Sequence, residues 1–216
     1  MAHPMYATWD SASHSEASIG LTEGDLRATR VFLQNGLHYS VRSTLGVSSG
    51  KYYWEITVVG SQAAQSSYNI GIAESTLSQT NYPGQAATGY SYRGDDNYFN
   101  NAGAGGNAPG VYVVGDVIGV ALDMDNLKCW WSLNGVFDGS PAAGTGGPIP
   151  SVFALITPGT YYAAISLRQV ADPELASMTA NFGATAFAYT PPTGFTSGLF
   201  VTMTPVPILQ IHEYIR

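Results

Sequence analysis

The chain has 216 residues and a formal net charge of −7, and only 11% of its residues are charged, well below the roughly 25% of an average soluble protein. Its basic residues form no cluster, and because phosphate backbones are held by grouped arginines and lysines, we expect no nucleic-acid binding. The single cysteine, Cys129, excludes an internal disulfide and a cysteine-based zinc site, and no apolar run is long enough to span a bilayer, so we expect no membrane insertion.

Residues 1–39 carry only weak strand patterns. Short alternating segments flank a turn at 22–25, and Asn35-Gly36 is typical of a hairpin turn because both residues tolerate positive φ. We therefore predict an N-terminal extension that holds the first strands. The N-terminus lacks the basic and apolar regions of a secretory signal peptide, so we expect the protein to be made in a cytoplasm.

From residue 51 the strand patterns become strong. Residues 51–58 alternate between two faces, and Tyr68, Ile70 and Ile72 mark a further strand. A long polar loop is predicted at 74–87, and a short strand follows it.

The next segment is polar and then rich in glycine. Residues 93–97 are predicted to form a turn, in which Asp95 and Asp96 are either plainly solvated or part of a binding loop. Adjacent carboxylates on a strand point in opposite directions, so this pair is not a ready acid–base pair. Residues 102–110 contain a run of glycines that no P-loop lysine follows, and they are predicted to be a flexible loop.

The strongest pattern is a predicted hairpin at 115–135. Its first strand alternates through Ile118, Val120 and Leu122, and its second strand places Trp131 on the same side. Asn134-Gly135 predicts a tight primed turn. Between the strands lie clustered oxygen ligands that could bind calcium, but turn formation accounts for all of them and is the interpretation we favour: Asp123, Asp125 and Asn126.

Three more strands are predicted at 151–156, 161–167 and 177–182. The last stretch, 199–216, is apolar, and its two prolines are incompatible with a central strand or a helix. This tail either packs along its own domain or docks on another subunit, and we favour docking. The residues that would carry the docking are Phe200, Met203, Ile208, Leu209, Ile211 and Tyr214.

Six motifs, in order, resemble those of SPRY domains: "VRS", "GKYYWEITV", "NIGIA", "GDVIGVALD" with "CWWSLNG", "YYAAISL" and "NFGATAFAYTPPTGF". Cys129, Trp131 and Ala163 depart from the usual pattern at strand positions. The resemblance implies an all-β fold, a single β-sandwich of two antiparallel sheets in a concanavalin-like arrangement, spanning 40–198 between the N-terminal extension and the tail. It also implies a protein-binding module rather than a catalyst.

Aromatic residues recur near the predicted loops, namely Tyr82, Tyr90, Tyr92, Tyr98, Phe99 and Trp130. They either form a binding surface for protein or sugar, or pad a second layer of core. Partners of SPRY domains dock on loops at one end of the sandwich. The resemblance therefore implies partner-binding loops that contain Tyr82, Pro83, Arg93, Asp95, Asp96, Tyr98, Arg168 and Gln169.

No sequence motif indicates catalysis, a metal site or a cofactor, and the four histidines lack metal-ligand spacing. We therefore expect a non-enzyme. The Gly/Ser/Thr-rich, lysine-poor composition resembles SPRY-type proteins of bacteriophages, which implies a virion structural subunit that decorates a capsid or belongs to a tail or fibre. Its partners would be other virion proteins or copies of itself, or a host-surface protein. The alternative is a lectin-like module that recognises a host-surface glycan.

Overall fold

The computed structural model describes residues 3–31, 36–60, 68–85, 89–100, 103–148, 156–168 and 175–203; for residues 96, 99, 100 and 103–107 only the backbone is described. The first nine strands are β1 (His3–Tyr6), β2 (Ile19–Thr22), β3 (Arg27–Arg30), β4 (His38–Val47), β5 (Lys51–Val58), β6 (Tyr68–Ala73), β7 (Gly89–Arg93), β8 (Asp95–Asn100) and β9 (Gly103–Val111). The others are β10 (Val117–Asp123), β11 (Lys128–Leu133), β12 (Val136–Phe137), β13 (Gly139–Ser140), β14 (Thr145–Gly146), β15 (Tyr161–Arg168), β16 (Ser177–Asn181), β17 (Thr196–Ser197) and β18 (Phe200–Met203). A 3-10 turn spans Ser11–Ser13.

Two large sheets form the predicted sandwich. One is eight-stranded, in the order β12-β11-β10-β5-β16-β3-β2, with β17 added beside β5. The other is six-stranded, in the order β4-β15-β6-β7-β8-β9. The pairing within both sheets is antiparallel except between β17 and β5. The all-β sandwich predicted from the sequence is thus confirmed.

The hairpin β10–β11 sets the register of the eight-stranded sheet. Val120 lies opposite Trp131, and Asn134 and Gly135 adopt φ values of 50° and 81°, as the primed turn requires. The Trp131 indole Nε1 donates a hydrogen bond to the carbonyl oxygen of Ile70, on the six-stranded sheet, over 3.0 Å. Trp131 therefore anchors one sheet to the other, as its strand position predicted.

The core lies between the inner faces of the two sheets. Its side chains alternate along the strands, and Cys129 is fully buried among them, as expected for a small apolar residue. Representative core residues are Trp54, Ile56, Ile70, Tyr92, Ile118, Leu122, Ile165 and Met178.

A second, smaller layer covers the outer face of the eight-stranded sheet. It contains Tyr53, Trp130 and Phe195, with Phe137 and Phe187 packed against them. The Trp130 indole Nε1 donates to the carbonyl oxygens of Thr145 and Gly146 in β14, over 3.1 Å each. Trp130 is fully buried, so of the two interpretations of the loop aromatics, core padding is correct for this residue.

The glycine-rich segment differs from its prediction. Residues 103–111 are not a loop but strand β9, which pairs with β8 at the edge of the six-stranded sheet, with two register shifts. Pairing with an existing strand overrides the low strand propensity of glycine, because backbone hydrogen bonds need no side chain. The strand predicted at 151–156 lies outside the described residues except for Ile156, which is buried.

The Asp123 turn is held by its own side chains. The two Asp123 carboxylate oxygens accept from the backbone N–H and the side-chain Nδ2 of Asn126, over 3.0 and 2.8 Å. Lys51 Nζ also lies 2.8 Å from this carboxylate. The oxygens of Asp123 are thus used to stabilise the turn and to pair with Lys51. In the described part of the chain, no three His, Cys, Asp or Glu side chains are grouped as metal ligands.

The beginning of the apolar tail packs on its own chain. Strand β18 pairs with β1 in a two-stranded ribbon, and the Phe200 ring lies 5.2 Å from that of Tyr6. Met203 is the last described residue of the ribbon and is 56% exposed. The rest of the predicted docking tail, Ile208, Leu209, Ile211 and Tyr214, lies outside the described residues.

Candidate functional site

A row of polar side chains crosses the outer face of the six-stranded sheet. Ser40 pairs with Ser166, Ser166 with Asn69, and Asn69 with Arg93, so the row spans β4, β15, β6 and β7. Successive side chains on a strand point to opposite faces, so the neighbours of these residues point into the core. Ser40, Ser166 and Asn69 are nevertheless buried, because a loop covers them.

That cover is the crossing loop, residues 74–85. The Gln79 carbonyl accepts the backbone N–H of Ser40 over 2.9 Å, and the Asn81 carbonyl accepts the Ser40 hydroxyl. Further across the sheet, the Ser91 hydroxyl donates to the carbonyl of Pro83 over 2.6 Å. The loop thus runs from β4 to β7 and is bonded at both ends.

The polar row is satisfied internally as well. Asn69 Nδ2 donates to the Ser166 hydroxyl over 3.2 Å, and the Ser91 hydroxyl lies 3.3 Å from Asn69 Oδ1. Buried polar groups without partners are costly, and a connected network avoids that cost while fixing one geometry. The row therefore forms a rigid surface to which the crossing loop is bonded.

Three side chains from different elements meet at one end of the polar row. The ring of Tyr82 lies 4.8 Å from the ring of His38, and Arg168 lies directly opposite His38 in the register of β4 and β15. All three are partly exposed. His38 Nδ1 is 3.2 Å from the Ser166 hydroxyl, which ties this cluster to the polar row. We call Tyr82, His38 and Arg168 the binding cluster.

The binding cluster is locally positive in a negatively charged protein. Burial, followed by the charges of Arg168, Arg93 and Arg30, lowers the pKa of His38 to about 4. The imidazole is therefore neutral at physiological pH. The Arg168 Nε atom is buried and has no hydrogen-bond partner among the described residues.

Arg93 and Asp95 lie at the same end of the sheet. The Arg93 guanidinium grips the Asp95 carboxylate through two nitrogens, at 2.7 and 2.5 Å. Burial would raise the pKa of Asp95, but the hydrogen bonds from Arg93 and Asn97 outweigh it and lower the pKa below its ordinary value. Of the neighbouring predicted residues, only the backbone of Asp96 is described, and Gln169 lies outside the described residues.

Two residues predicted for the partner-binding loops are not available at the surface. Tyr98 is 1% exposed, with its ring 5.4 Å from that of Trp131, because strand pairing with β7 turns it inward. Pro83 belongs to the crossing loop and is buried. Tyr90 and Tyr92 are core residues too, so Tyr82 is the aromatic of this group whose described side chain reaches the surface.

Sequence reasoning missed His38, which was considered only as a metal ligand. Its position two residues before Ser40 places both side chains on the same face of β4. That alternation was visible in the sequence. Its approach to Tyr82, more than forty residues away, depends on the path of the crossing loop, which no local pattern encodes.

The binding cluster combines an aromatic ring, a neutral imidazole and a guanidinium. Of these residue types, Tyr and Arg are enriched among those that carry most of the energy of protein interfaces. In the described part of the chain, no helix has the length and hydropathy needed to cross a bilayer.

Comparison with known proteins identifies the family. The model of the SPRY domain matches residues 51–170. The chain belongs to the SPRY domain family. SPRY domains are protein-binding modules, and this match covers strands of both sheets and, of the polar row, Asn69, Arg93 and Ser166.

Among curated proteins, this SPRY chain is similar to the Ran-binding proteins 9/10 homolog of Drosophila melanogaster, with 33% identity over 124 residues, 55% of this chain and 13% of that protein. It is also similar to Ran-binding protein 10 of Danio rerio, with 29% identity over 139 residues, 61% of this chain and 22% of that protein. The chain therefore spans less than a quarter of the length of these relatives.

Solved SPRY structures share the fold. The SPRY domain of human HERC1 superposes with a TM-score of 0.59 at 16% identity, covering 80% of this chain and 96% of that one. The TRIM65 PSpry domain gives a TM-score of 0.55 at 15% identity, covering 82% and 90% of the respective chains. At these identities the likeness concerns the fold alone.

Proposed function

We propose that this SPRY domain is a non-catalytic protein-binding module whose partner docks on the binding cluster. The observation that carries the proposal is the convergence of Tyr82, His38 and Arg168 from a loop and two strands. Each is partly exposed, and each belongs to an element fixed by the polar row. A preorganised cluster of this kind loses little side-chain entropy when a partner binds.

The partner's contact should centre on Tyr82 and Arg168. Tyrosine and arginine are enriched among the few interface residues that carry most of the binding energy. Arg168 is partly exposed, so its guanidinium can supply a charge-assisted hydrogen bond to a partner. The Arg93–Asp95 pair, already bonded within the domain, would form part of the rim.

Site-specific photo-crosslinking in the producing cells tests this proposal. A photoreactive residue at position 82 should capture a partner that the same residue at Val136 does not capture; Val136 is 69% exposed on β12. The captured partner is then titrated against the purified domain. Tyr82→Ala and Arg168→Gln should each weaken binding by at least about tenfold, whereas Val136→Ala should leave it unchanged. Unchanged affinity in both cluster variants would rule out this surface as the binding site.

The lectin-like alternative loses its main support. It relied on exposed aromatic rings near the loops, and Tyr90, Tyr92, Tyr98 and Trp130 are buried. Sugar-binding sites present aromatic faces to solvent, and the binding cluster offers one such ring beside a guanidinium. We therefore propose protein rather than glycan as the ligand.

As the setting of this function we propose a virion, in which the domain is a structural subunit that contacts other particle proteins or copies of itself. The low charge and the lysine-poor composition support this proposal, together with the resemblance to phage-encoded SPRY proteins. Mass spectrometry of purified particles is the test. Stoichiometric copies of the chain in the particle are expected, and its absence from particles that contain all other structural proteins would refute the virion setting while leaving the binding cluster untouched.

A further inference from the structure

The two-stranded ribbon of β1 and β18 has an unusual composition for an exposed edge. None of its eight residues is charged, and Met5, Val201 and Met203 are 48%, 41% and 56% exposed. Soluble proteins usually protect sheet edges with charges, prolines or covering loops, because a bare edge can pair with another chain. This ribbon therefore has the features of an interface.

The alternation of bonded and non-bonded pairs between β1 and β18 shows which backbone groups of β18 point away from β1. The Ala7 N–H donates to the carbonyl of Leu199 over 2.8 Å, in line with the register that pairs Met5 with Val201. In an antiparallel ladder bonded and non-bonded pairs alternate, so Val201 is bonded toward β1. The N–H and C=O groups of Phe200 and Thr202 consequently point away from β1. Among the described residues, no strand pairs with β18 on that side.

The outer edge of β1 is less suitable for pairing. Pro4 lies opposite Thr202 and therefore occupies an outward-facing position of β1, where it lacks the N–H that a further strand would need. The edge open to a new strand is thus that of β18.

We propose that β18 pairs with β18 of a second copy of this chain. The pairing is antiparallel about a twofold axis at Val201, and it joins the two ribbons into one four-stranded sheet. Phe200 then exchanges both backbone hydrogen bonds with the partner subunit's Thr202, and Thr202 does the same with the partner subunit's Phe200. Val201 lies opposite the partner subunit's Val201, in the closely spaced non-bonded position.

Two observations select a second copy as the occupant. The outward donors and acceptors of Phe200 and Thr202 are spaced symmetrically around Val201, so the edge is complementary to itself, as a twofold interface requires. Each chain also carries a net charge of −7, and the repulsion between two copies is smallest where they meet through a surface without charge. The ribbon is such a surface. This interface is separate from the binding cluster and does not depend on the identity of its partner.

Sedimentation velocity of the full chain over a dilution series tests the pairing. The wild type should show a reversible monomer–dimer equilibrium. Thr202→Pro removes an outward N–H without breaking a bond to β1, and it should shift the equilibrium to monomer. Thr202→Val keeps that N–H and should dimerise as the wild type does. Val136→Glu removes another exposed apolar side chain, on β12, and should also leave the dimer intact.

A charge swap at the twofold axis gives the decisive readout. Val201→Glu and Val201→Lys should each be monomeric, because like charges would lie directly opposite each other. An equimolar mixture of the two variants should form a heterodimer, which a mere loss of folding cannot produce. A wild type that stays monomeric at every concentration, or a mixture that stays monomeric although both variants melt as the wild type does, would overturn the proposal.

Discussion

The hydroxyl of Tyr98 donates a hydrogen bond to the carboxylate of Asp138, and this bond joins the two sheets of the sandwich. Tyr98 belongs to the six-stranded sheet, and Asp138 lies between β12 and β13, beside the other sheet. The second oxygen of Asp138 is buried and has no hydrogen-bond partner among the described residues. Burial raises the pKa of Asp138 to about 6, although the bond from Tyr98 favours the charged form.

Asp138→Asn should stabilise the protein at neutral pH. The native carboxyl has a pKa raised above its unfolded value of 3.8, so its contribution to stability is fully present below pH 3.8 and is lost as the pH rises through about 6. The pKa difference corresponds to about 3 kcal/mol, and partial exposure lowers the expected gain to about 2 kcal/mol. The asparagine oxygen can still accept from Tyr98. Urea unfolding at neutral pH measures the gain, and a less stable variant at neutral pH would contradict it.

His38 should make the protein less stable as the pH falls, the opposite of the effect of Asp138, and His38→Gln should remove this dependence. Burial and the neighbouring arginines lower the native pKa of His38 from 6.5 to about 4. Because the unfolded chain binds this proton more tightly, stability falls as the pH drops from 6.5 to about 4, by about 2 kcal/mol after allowance for exposure. The glutamine variant should lose this acid sensitivity.

The titrations of His38 and Asp138 have opposite effects on stability, so each variant serves as the control for the other. As the pH rises from 4 to 6, the wild type gains stability from His38 and loses stability from Asp138. Unfolding of Asp138→Asn should therefore show the His38 slope alone, and His38→Gln the Asp138 slope alone. Equal slopes in the two single variants would show that neither group controls stability in this range.

Glu55→Gln should destabilise the fold by about 3 kcal/mol. The buried Glu55 carboxylate accepts the Tyr53 hydroxyl over 2.9 Å and the backbone N–H groups of Ala188 and Tyr189 over 2.8 and 2.9 Å. Glu55 thereby holds the segment around Ala188 and Tyr189 over the smaller layer that contains Tyr53 and Trp130. A glutamine amide group would oppose a donor with another donor. Urea unfolding measures the loss. Glu23→Gln removes one partner of the exposed ion pair with Arg27 and should change stability by less than about 0.5 kcal/mol. Equal losses of stability in the two variants would show that the hydrogen bonds of Glu55 do not stabilise the fold.

Gly147→Ala should destabilise through contact with Trp130. A β-carbon at Gly147 would lie 2.5 Å from Trp130 Cδ1, and the residue has a φ of +77°. Crowding and backbone strain together should cost about 3 kcal/mol. Gly144→Ala shares the positive φ, but its β-carbon meets nothing within 4 Å, so it should cost only about 1 kcal/mol. Thermal melts of both variants separate the two effects, and equal losses would leave no role for Trp130 packing.

The sequence predicted the framework well where alternation and turn residues agree. The hairpin around Val120 and Trp131 and the Asp123 turn follow from side-chain periodicity and local hydrogen bonding, which are properties of short segments. Trp130 and Tyr98 were harder to place, because the alternation shows that a residue faces away from one layer but not whether a second layer or another sheet covers it. Strand β9 was missed for a related reason: its pairing is supplied by β8, not by its own glycines.

The binding cluster shows where prediction from sequence stops. Family resemblance assigned Tyr82 and Arg168 to partner-binding loops, and this assignment stays a prediction; in the structure Tyr82 lies in the crossing loop and Arg168 ends strand β15. The approach of Tyr82 to His38 requires the crossing loop to return over four strands, and that path is set by Ser40 and Ser91 bonding to loop carbonyls. Such long-range pairing between serine and carbonyl groups has no sequence period.

Ser91→Ala should therefore loosen the crossing loop and weaken partner binding. The alanine leaves the buried carbonyl of Pro83 without its 2.6 Å hydrogen bond, which should cost about 1–2 kcal/mol. The amide of Ser40 reports on the loop directly, because its hydrogen bond runs to Gln79. Hydrogen exchange of this amide should accelerate by about tenfold or more. The exposed Ser78 lies within the loop and bonds only locally to Thr80, so Ser78→Ala should leave that exchange unchanged. Unaltered Ser40 exchange in Ser91→Ala would show that the polar row does not hold the loop, and Tyr82 would then owe its position to another contact.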